Sequence, residues 1–193
     1  MSIIFSDLKV FIGGPIQHAL KLKALDNHLQ VHLKSAIHQL ESLGAEVFSA
    51  HRTEQFGETT HLFTPEEVSQ RDRQWMEQCD IFVAILPVCP QQKKLIRTDG
   101  THIELGWASA LKRPIILVTE KPFDDSASHL LKGLSIIAQV HHIPLNDFTH
   151  DPAILSHTIQ SIAEKQSITE KQAITETTSI VEKETIPTSS AVA

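Results

Sequence analysis

Two carboxylates in this chain occupy positions where a carboxylate is costly. The stretch TDGTHIELGWA at 98–108 leads a glycine, a threonine and a histidine into Glu104, and apolar residues follow at helical spacing. On such a helix Glu104 shares a side with Trp107, Ala108 and Leu111. Asp72 poses the same problem within TPEEVSQRDRQWMEQC at 64–79, where Val68, Trp75 and Cys79 mark one face and Asp72 falls on it. Arg71 and Arg73 flank Asp72, and the helical spacing points them elsewhere. An acid on a core-facing stripe must be hydrogen-bonded, paired or functional. Gly100 and Thr101 put Glu104 near a helix start, whose N–H groups hold anions and favour the ionised form that a nucleophile needs. Two structural readings stand beside the chemical one. Thr101 and Glu104 fit the T-x-x-E capping box, and Asp72 suits a structural aspartate capping a nearby loop.

Other polar positions carry weaker signals. The glycine pair in IGGPIQH (12–18) fits a tight turn at positive φ, or a close backbone approach to a sugar or phosphate. It does not complete G-x-G-x-x-G, so a dinucleotide fingerprint is absent. Arg52, after the apolar AEVFSAH (45–51), suits a phosphate or a base edge, or equally a solvated loop. The twelve histidines include no H-x-x-x-H or H-E-x-x-H zinc pattern, so no metal is expected. His141 and His142 adjoin, and strand neighbours point to opposite faces. No G-x-S-x-G announces a serine nucleophile.

The elements that must position these residues alternate. LKVFIGG (8–14), AEVFSAH (45–51), DIFVAILP (80–87), RPIILVTE (113–120) and IIAQVHHI (136–143) read as strands. Helices are expected at 26–43, 64–79, 101–112, 127–133 and from about Pro152 to Lys165. Thr64, Pro65 and Glu67 make a strong helix start, and Gly44 a stop. Strands apolar throughout, separated by helices, imply an α/β fold: an open, doubly wound parallel sheet of about five strands, flavodoxin-like or Rossmann-like. In such a sheet ligands sit beyond the carboxyl ends of the strands, which directs attention to 13–20, 50–63, 87–104 and 119–128. Both acids border that end.

With 193 residues, 41% hydrophobic and 21% charged, the chain suits a single domain with a real core. The composition changes near 165, where KQSITE is followed at once by KQAITE and then by TTSIVEKETIPTSSAVA. We expect a catalytic domain at 1–165 and a mobile, disordered tail at 166–193. The formal charge of −6 argues against a nucleic-acid polymer as partner and leaves small ligands. Cys79 and Cys89 make no disulfide framework, and MSIIFSDLK is no secretory signal, so a reducing cytoplasm is expected. No run is long enough for a membrane span.

Taken together, V-F-I-G-G-P-I (10–16), R-D-R-Q-W-M-E-Q-C-D (71–80) and D-G-T-H-I-E-L-G-W-A (99–108) followed by K-R-P-I-I-L-V (112–118) resemble the nucleoside 2-deoxyribosyltransferase-like superfamily over residues 8–135. The resemblance implies cleavage or exchange of the N-glycosidic bond of a nucleoside or nucleoside 5′-monophosphate, without a cofactor. It implies that Glu104 is the nucleophile at C1′ and that Asp72 assists departure of the base. The chain looks most like the nucleoside 5′-monophosphate N-hydrolases, some of whose relatives act on ribonucleotides such as CMP. This likeness places Phe11, Gly14, Ile16, Thr98 and Gly100 at the substrate. It also makes Ser128 a phosphate contact reaching in from a neighbouring subunit, so a homodimer or higher oligomer is implied.

The departures are specific. Phe11 stands where the deoxynucleotide hydrolases carry a tyrosine, and this chain has no tyrosine. Pro15 and Gln17 replace a serine and an arginine of their first loop, so Arg52 or Arg97 is a candidate for the missing phosphate charge. Two other readings remain open: a phosphoribohydrolase or NAD-cleaving enzyme, for which R-T-D-G-T is a partial match, and a non-catalytic nucleotide sensor that uses Glu104 only as a cap.

Overall fold

A computed structural model describes residues 5–16, 23–89, 92–96, 98–125 and 127–184. Its elements run β1 (Lys9–Gly13), α1 (Lys23–Ser42), β2 (Glu46–Phe48), α2 (Ala50–Thr53), α3 (Pro65–Gln78), β3 (Ile81–Leu86), β4 (Val88–Cys89), β5 (Lys94–Leu95), α4 (Asp99–Ala110), β6 (Ile115–Thr119), α5 (His129–Lys132), α6 (Leu134–Ile137), β7 (Val140–Pro144), α7 (Leu145–His150) and α8 (Ala153–Glu184). Five strands form one sheet in the order β2-β1-β3-β6-β7, and every pairing is parallel. The doubly wound sheet expected from the apolar runs is therefore present. All six residues of β3 and all five of β6 are buried, as strands covered on both faces require.

Side chains alternate between two cores. Val10, Ile12, Val83, Ile85, Ile116 and Val118 point to one face, under Leu33, Ile37 and Leu40 of α1 and Leu155, Ile159 and Ile162 of α8. Phe11, Phe82, Ala84 and Leu117 point to the other, under Met76 of α3 and Leu105 and Ala108 of α4. The two acid-bearing helices thus lie side by side on one face. α3 starts as its sequence dictates. Thr64 Oγ1 accepts from the Glu67 N–H at 3.2 Å, the Glu67 carboxylate accepts from the Thr64 N–H at 2.8 Å, and Pro65 fills the first turn. Its end is tied to β1 through Asp80, whose carboxylate accepts from the Lys9 N–H at 2.8 Å.

Several boundaries differ from the sequence reading, each for a local reason. The second strand stops at Phe48, where its pairing with β1 ends, and the chain turns into α2. The run at 136–143 divides: Leu134 is buried in α6, Ile136 and Ile137 are exposed on it, and the strand begins only at Val140. The short antiparallel ribbon of β4 and β5, and helix α7, carry no periodic signal long enough to read. α4 begins at Asp99, two residues before the expected start. The last helix does not stop near Lys165 but continues to Glu184. At the compositional break the burial changes: Ile162 and Ala163 are buried, whereas Ile168 is exposed. Residues 185–193 of the expected tail lie outside the described residues. Among the described residues no helix is long and apolar enough to cross a membrane.

Candidate active site

The strand order reverses at β1, which has β2 on one side and β3 on the other. Beyond the carboxyl ends of these strands lies a cleft of about 380 Å³, bordered by Gly13 and Gly14 at the end of β1, the α2 segment, α3 and the first turns of α4. Glu104 and Asp72 both line it.

Glu104 sits in the second turn of α4 and is 7% exposed. Its Oε2 is buried and has no hydrogen-bond partner. The helix N-cap is Thr98, with no side-chain capping bond, so Thr101 and Glu104 do not form a capping box. Instead the Thr98 and Thr101 hydroxyls bond each other at 2.6 Å. Room for the carboxylate comes from Gly13. A Cβ there would collide with Glu104 Oε2 and stand 3.0 and 3.1 Å from the Phe82 ring. Neither Gly13 nor Gly14 has a positive φ, which among the described glycines is confined to Gly44 and Gly57. The glycine pair therefore serves close approach rather than a turn. Burial pushes the Glu104 carboxyl up to about 8; Asp72 and Glu54 add to the rise, and Arg71 opposes it. Desolvation thus works against the ionised form that a helix start favours.

Asp72 is also 7% exposed. The helical spacing sends Arg71 away from it, yet the Arg71 Nε donates to Asp72 Oδ1 at 2.8 Å. Its Nη2 donates to Glu54 Oε1, also at 2.8 Å. The guanidinium reaches back because aromatic rings hold it, with its Cζ 4.9 Å from the Trp75 ring centroid and 5.4 Å from that of Phe63. Glu54 is 2% exposed and takes a further bond from the Thr60 hydroxyl at 2.8 Å. Burial raises the Asp72 carboxyl, Arg71 lowers it, and Glu54 raises it again. His51 completes the floor. Its Nε2 lies 3.3 Å from the Pro15 carbonyl and must donate to it, which leaves Nδ1 as the lone-pair nitrogen, buried and without a partner. Burial lowers His51 to about 4, so the ring is neutral near pH 7.

The remaining sequence candidates divide. Gly14, Ile16, Thr98 and Gly100 line the cleft. Phe11 lies beneath it in the core, edge-on to Trp75 at 5.8 Å and 5.2 Å from the Phe82 ring. Arg52 is outside the lining; it bonds the Glu41 carboxylate and the Val47 carbonyl. Ser128 caps α5, accepting from the Leu131 N–H at 3.1 Å, and is absent from the cleft of its own chain. Arg97 and Gln17 lie outside the described residues. Sequence reasoning missed His51 and Glu54 as site residues. The available signal was their place just after the second strand, in a loop bordering the carboxyl ends. Among the described residues no three His, Cys, Asp or Glu side chains are grouped as metal ligands.

The nucleoside 2-deoxyribosyltransferase family model matches residues 10–147, which include both acids and every strand of the main sheet except its first residue. The chain belongs to this family. It is accordingly an enzyme of the N-glycosidase or nucleoside deoxyribosyltransferase class. Among solved structures, BlsM is similar at 28% identity with a TM-score of 0.64, covering 82% of this chain and 93% of its own. The Clostridium botulinum CMP N-glycosidase, BcmB, shares the fold at 23% identity and a TM-score of 0.52, covering 76% of this chain and 98% of its own. No functionally curated protein matches the chain.

The raised Glu104 carboxyl has a consequence for stability. Between its ordinary value of 4.5 and about 8, the folded protein keeps a proton that the unfolded chain releases. Stability therefore falls as pH rises through that window. Glu104→Gln removes the effect. The variant should be more stable than the parent at pH 8 and above, by on the order of 3–5 kcal/mol, and so melt higher, with the gap closing toward pH 4.5. Equal melting temperatures at both ends would show that Glu104 holds no such proton.

Proposed function

We propose that this enzyme breaks the N-glycosidic bond of a nucleoside or nucleoside 5′-monophosphate by attack of Glu104 on C1′, with Asp72 assisting the departing base. The observation that carries this reading is the buried, unpartnered oxygen of Glu104 in the same cleft as Asp72. Cleavage of this bond builds positive charge on the sugar, and a carboxylate at C1′ stabilises that charge and can trap the sugar as an ester. A nucleobase leaves poorly as an anion, so a second acid beside it supplies a proton or a hydrogen bond. Water releases the sugar in a hydrolase, and a second base accepts it in a transferase. The first turns of α4, with Thr98 and Gly100, suit the anionic end of a nucleotide. Use of Glu104 merely as a cap, on which a sensor reading depends, lacks its hydrogen bond here.

We also propose that the working enzyme is a homodimer in which Ser128 of one copy approaches the cleft of the other. Next to Ser128, Leu130 is 83% exposed, and Ile136 and Ile137 are 84% and 70% exposed on the following helix. A second copy is the occupant that would cover this face while delivering Ser128.

Two measurements test these readings. With a panel of nucleosides and nucleoside monophosphates, Glu104→Ala and Glu104→Gln should abolish base release, and Asp72→Asn should slow it by about 10²- to 10⁴-fold. Retention of activity in Glu104→Gln would remove the nucleophile. In sedimentation, the parent should run as a dimer and a Leu130→Lys/Ile136→Lys variant as a monomer with impaired turnover; a fully active monomeric parent would contradict the shared site.

A further inference from the structure

Arg71 makes two bonds that the proposed chemistry does not by itself require. It is 16% exposed at its side chain, and its Nε and Nη2 each hold a different buried carboxylate. The third nitrogen, Nη1, is buried and has no hydrogen-bond partner, so among the described residues the guanidinium's hydrogen bonds go to Asp72 and Glu54 alone. Glu54 in turn is fixed by Thr60. Asp72 is thereby gripped at Oδ1, and its other oxygen takes no bond from Arg71.

We propose that the Glu54–Arg71 pair is a positioning unit that aims Asp72 and apportions a single proton between Asp72 and Glu104. This rests on the reading of Glu104 as nucleophile and Asp72 as acid. The charges facing the two acids come from three elements. The α2 segment brings Glu54 and the neutral His51, α3 brings Arg71 beside Asp72, and α4 brings Asp99, which is exposed and also lines the cleft. Three buried carboxylates thus face one guanidinium among the described residues, so full ionisation of Asp72, Glu54 and Glu104 leaves two negative charges uncompensated. One proton on the Asp72–Glu104 pair relieves this. With the cleft empty, the proton belongs on Glu104, whose Oε2 has no donor to stabilise its charge, whereas Asp72 accepts a hydrogen bond from Arg71. For reaction it passes to Asp72. The Glu104 oxygen then bonds C1′, the glycosidic electron pair goes to the base nitrogen, and Asp72 gives that nitrogen its proton. The pair starts with one proton and ends with none, and the released base carries it away. Glu54 is what makes this transfer feasible. Its charge offsets that of Arg71, which alone would hold Asp72 ionised throughout.

The one-proton pair is the active form, so kcat/KM should follow a bell in pH with an alkaline limb near 8. Glu54→Gln removes a negative charge and should move that limb down by about one unit. Arg71→Gln removes the positive charge and should move it up by about one unit. Arg71→Lys keeps the charge but reaches both carboxylates with a single nitrogen. Its limb should stay within about half a unit of the parent while kcat falls roughly 10- to 100-fold. A ¹³C titration of the side-chain carboxyls in the full-length protein reads the same shifts without substrate, and circular dichroism confirms that each variant is folded. Opposite shifts for Glu54→Gln and Arg71→Gln support the proposal. Shifts in one direction, or none in folded variants, overturn it, as would an unmoved limb in Glu54→Gln if Arg71→Gln fails to fold. Base release by Glu104→Gln would instead defeat the underlying reading of the nucleophile.

Discussion

Three buried carboxylates line one cleft, and among the described residues a single guanidinium pairs with two of them. Glu54, Asp72 and Glu104 are 2%, 7% and 7% exposed, and Arg71 is the cation paired with the first two. Burying charge at this density is costly unless each group is paired or protonated. The structure uses both means: Arg71 bridges Glu54 and Asp72, while Glu104 pairs with no cation among the described residues and is pushed toward the protonated form. The aromatic rings of Trp75 and Phe63 hold the guanidinium in place, so part of the hydrophobic core serves an electrostatic end.

The fold supplies the geometry. In α3, Asp72 lies one turn before Met76, and in α4 Glu104 lies one turn before Ala108. Met76 and Ala108 are fully buried against the sheet. Each acid thus continues a packed helix face past the end of the strands, into the cleft instead of the core. The switch in strand order leaves the mouth open between β1 and its neighbours, and the absence of a side chain at Gly13 lets the Glu104 carboxylate approach β1. Backbone order, helix phase and one missing methyl group together place the two acids.

Much of this was legible in the residues. Apolar strands such as IFVAIL and the Thr64–Glu67 capping box act locally, and both elements appear where their patterns lie. The two acids stood out because each interrupts an apolar stripe. The Arg71 bridge was hidden. Its position on the helix is one residue from the stripe, and only the tertiary placement of Glu54, Phe63 and Trp75 turns it toward Asp72. His51 and Glu54 were hidden for a related reason: the edge strand ends earlier than its apolar run, and the short α2 carries them into the cleft. The T-x-x-E match at 101–104 misled because helix starts are set by the whole first turn, which here begins at Thr98. Ile136 and Ile137 misled in the same way, since β-branched residues on an exposed turn read as strand.

Trapping the intermediate reads attack by Glu104 at the atom that makes the bond. The enzyme would be mixed with a slowly turned-over nucleoside or nucleotide, quenched in acid and digested, and the peptides weighed. Attack by Glu104 predicts a sugar ester on the peptide containing residue 104, together with net retention of configuration at C1′ in the product. Base release with inversion at C1′ and no sugar on that peptide would contradict it.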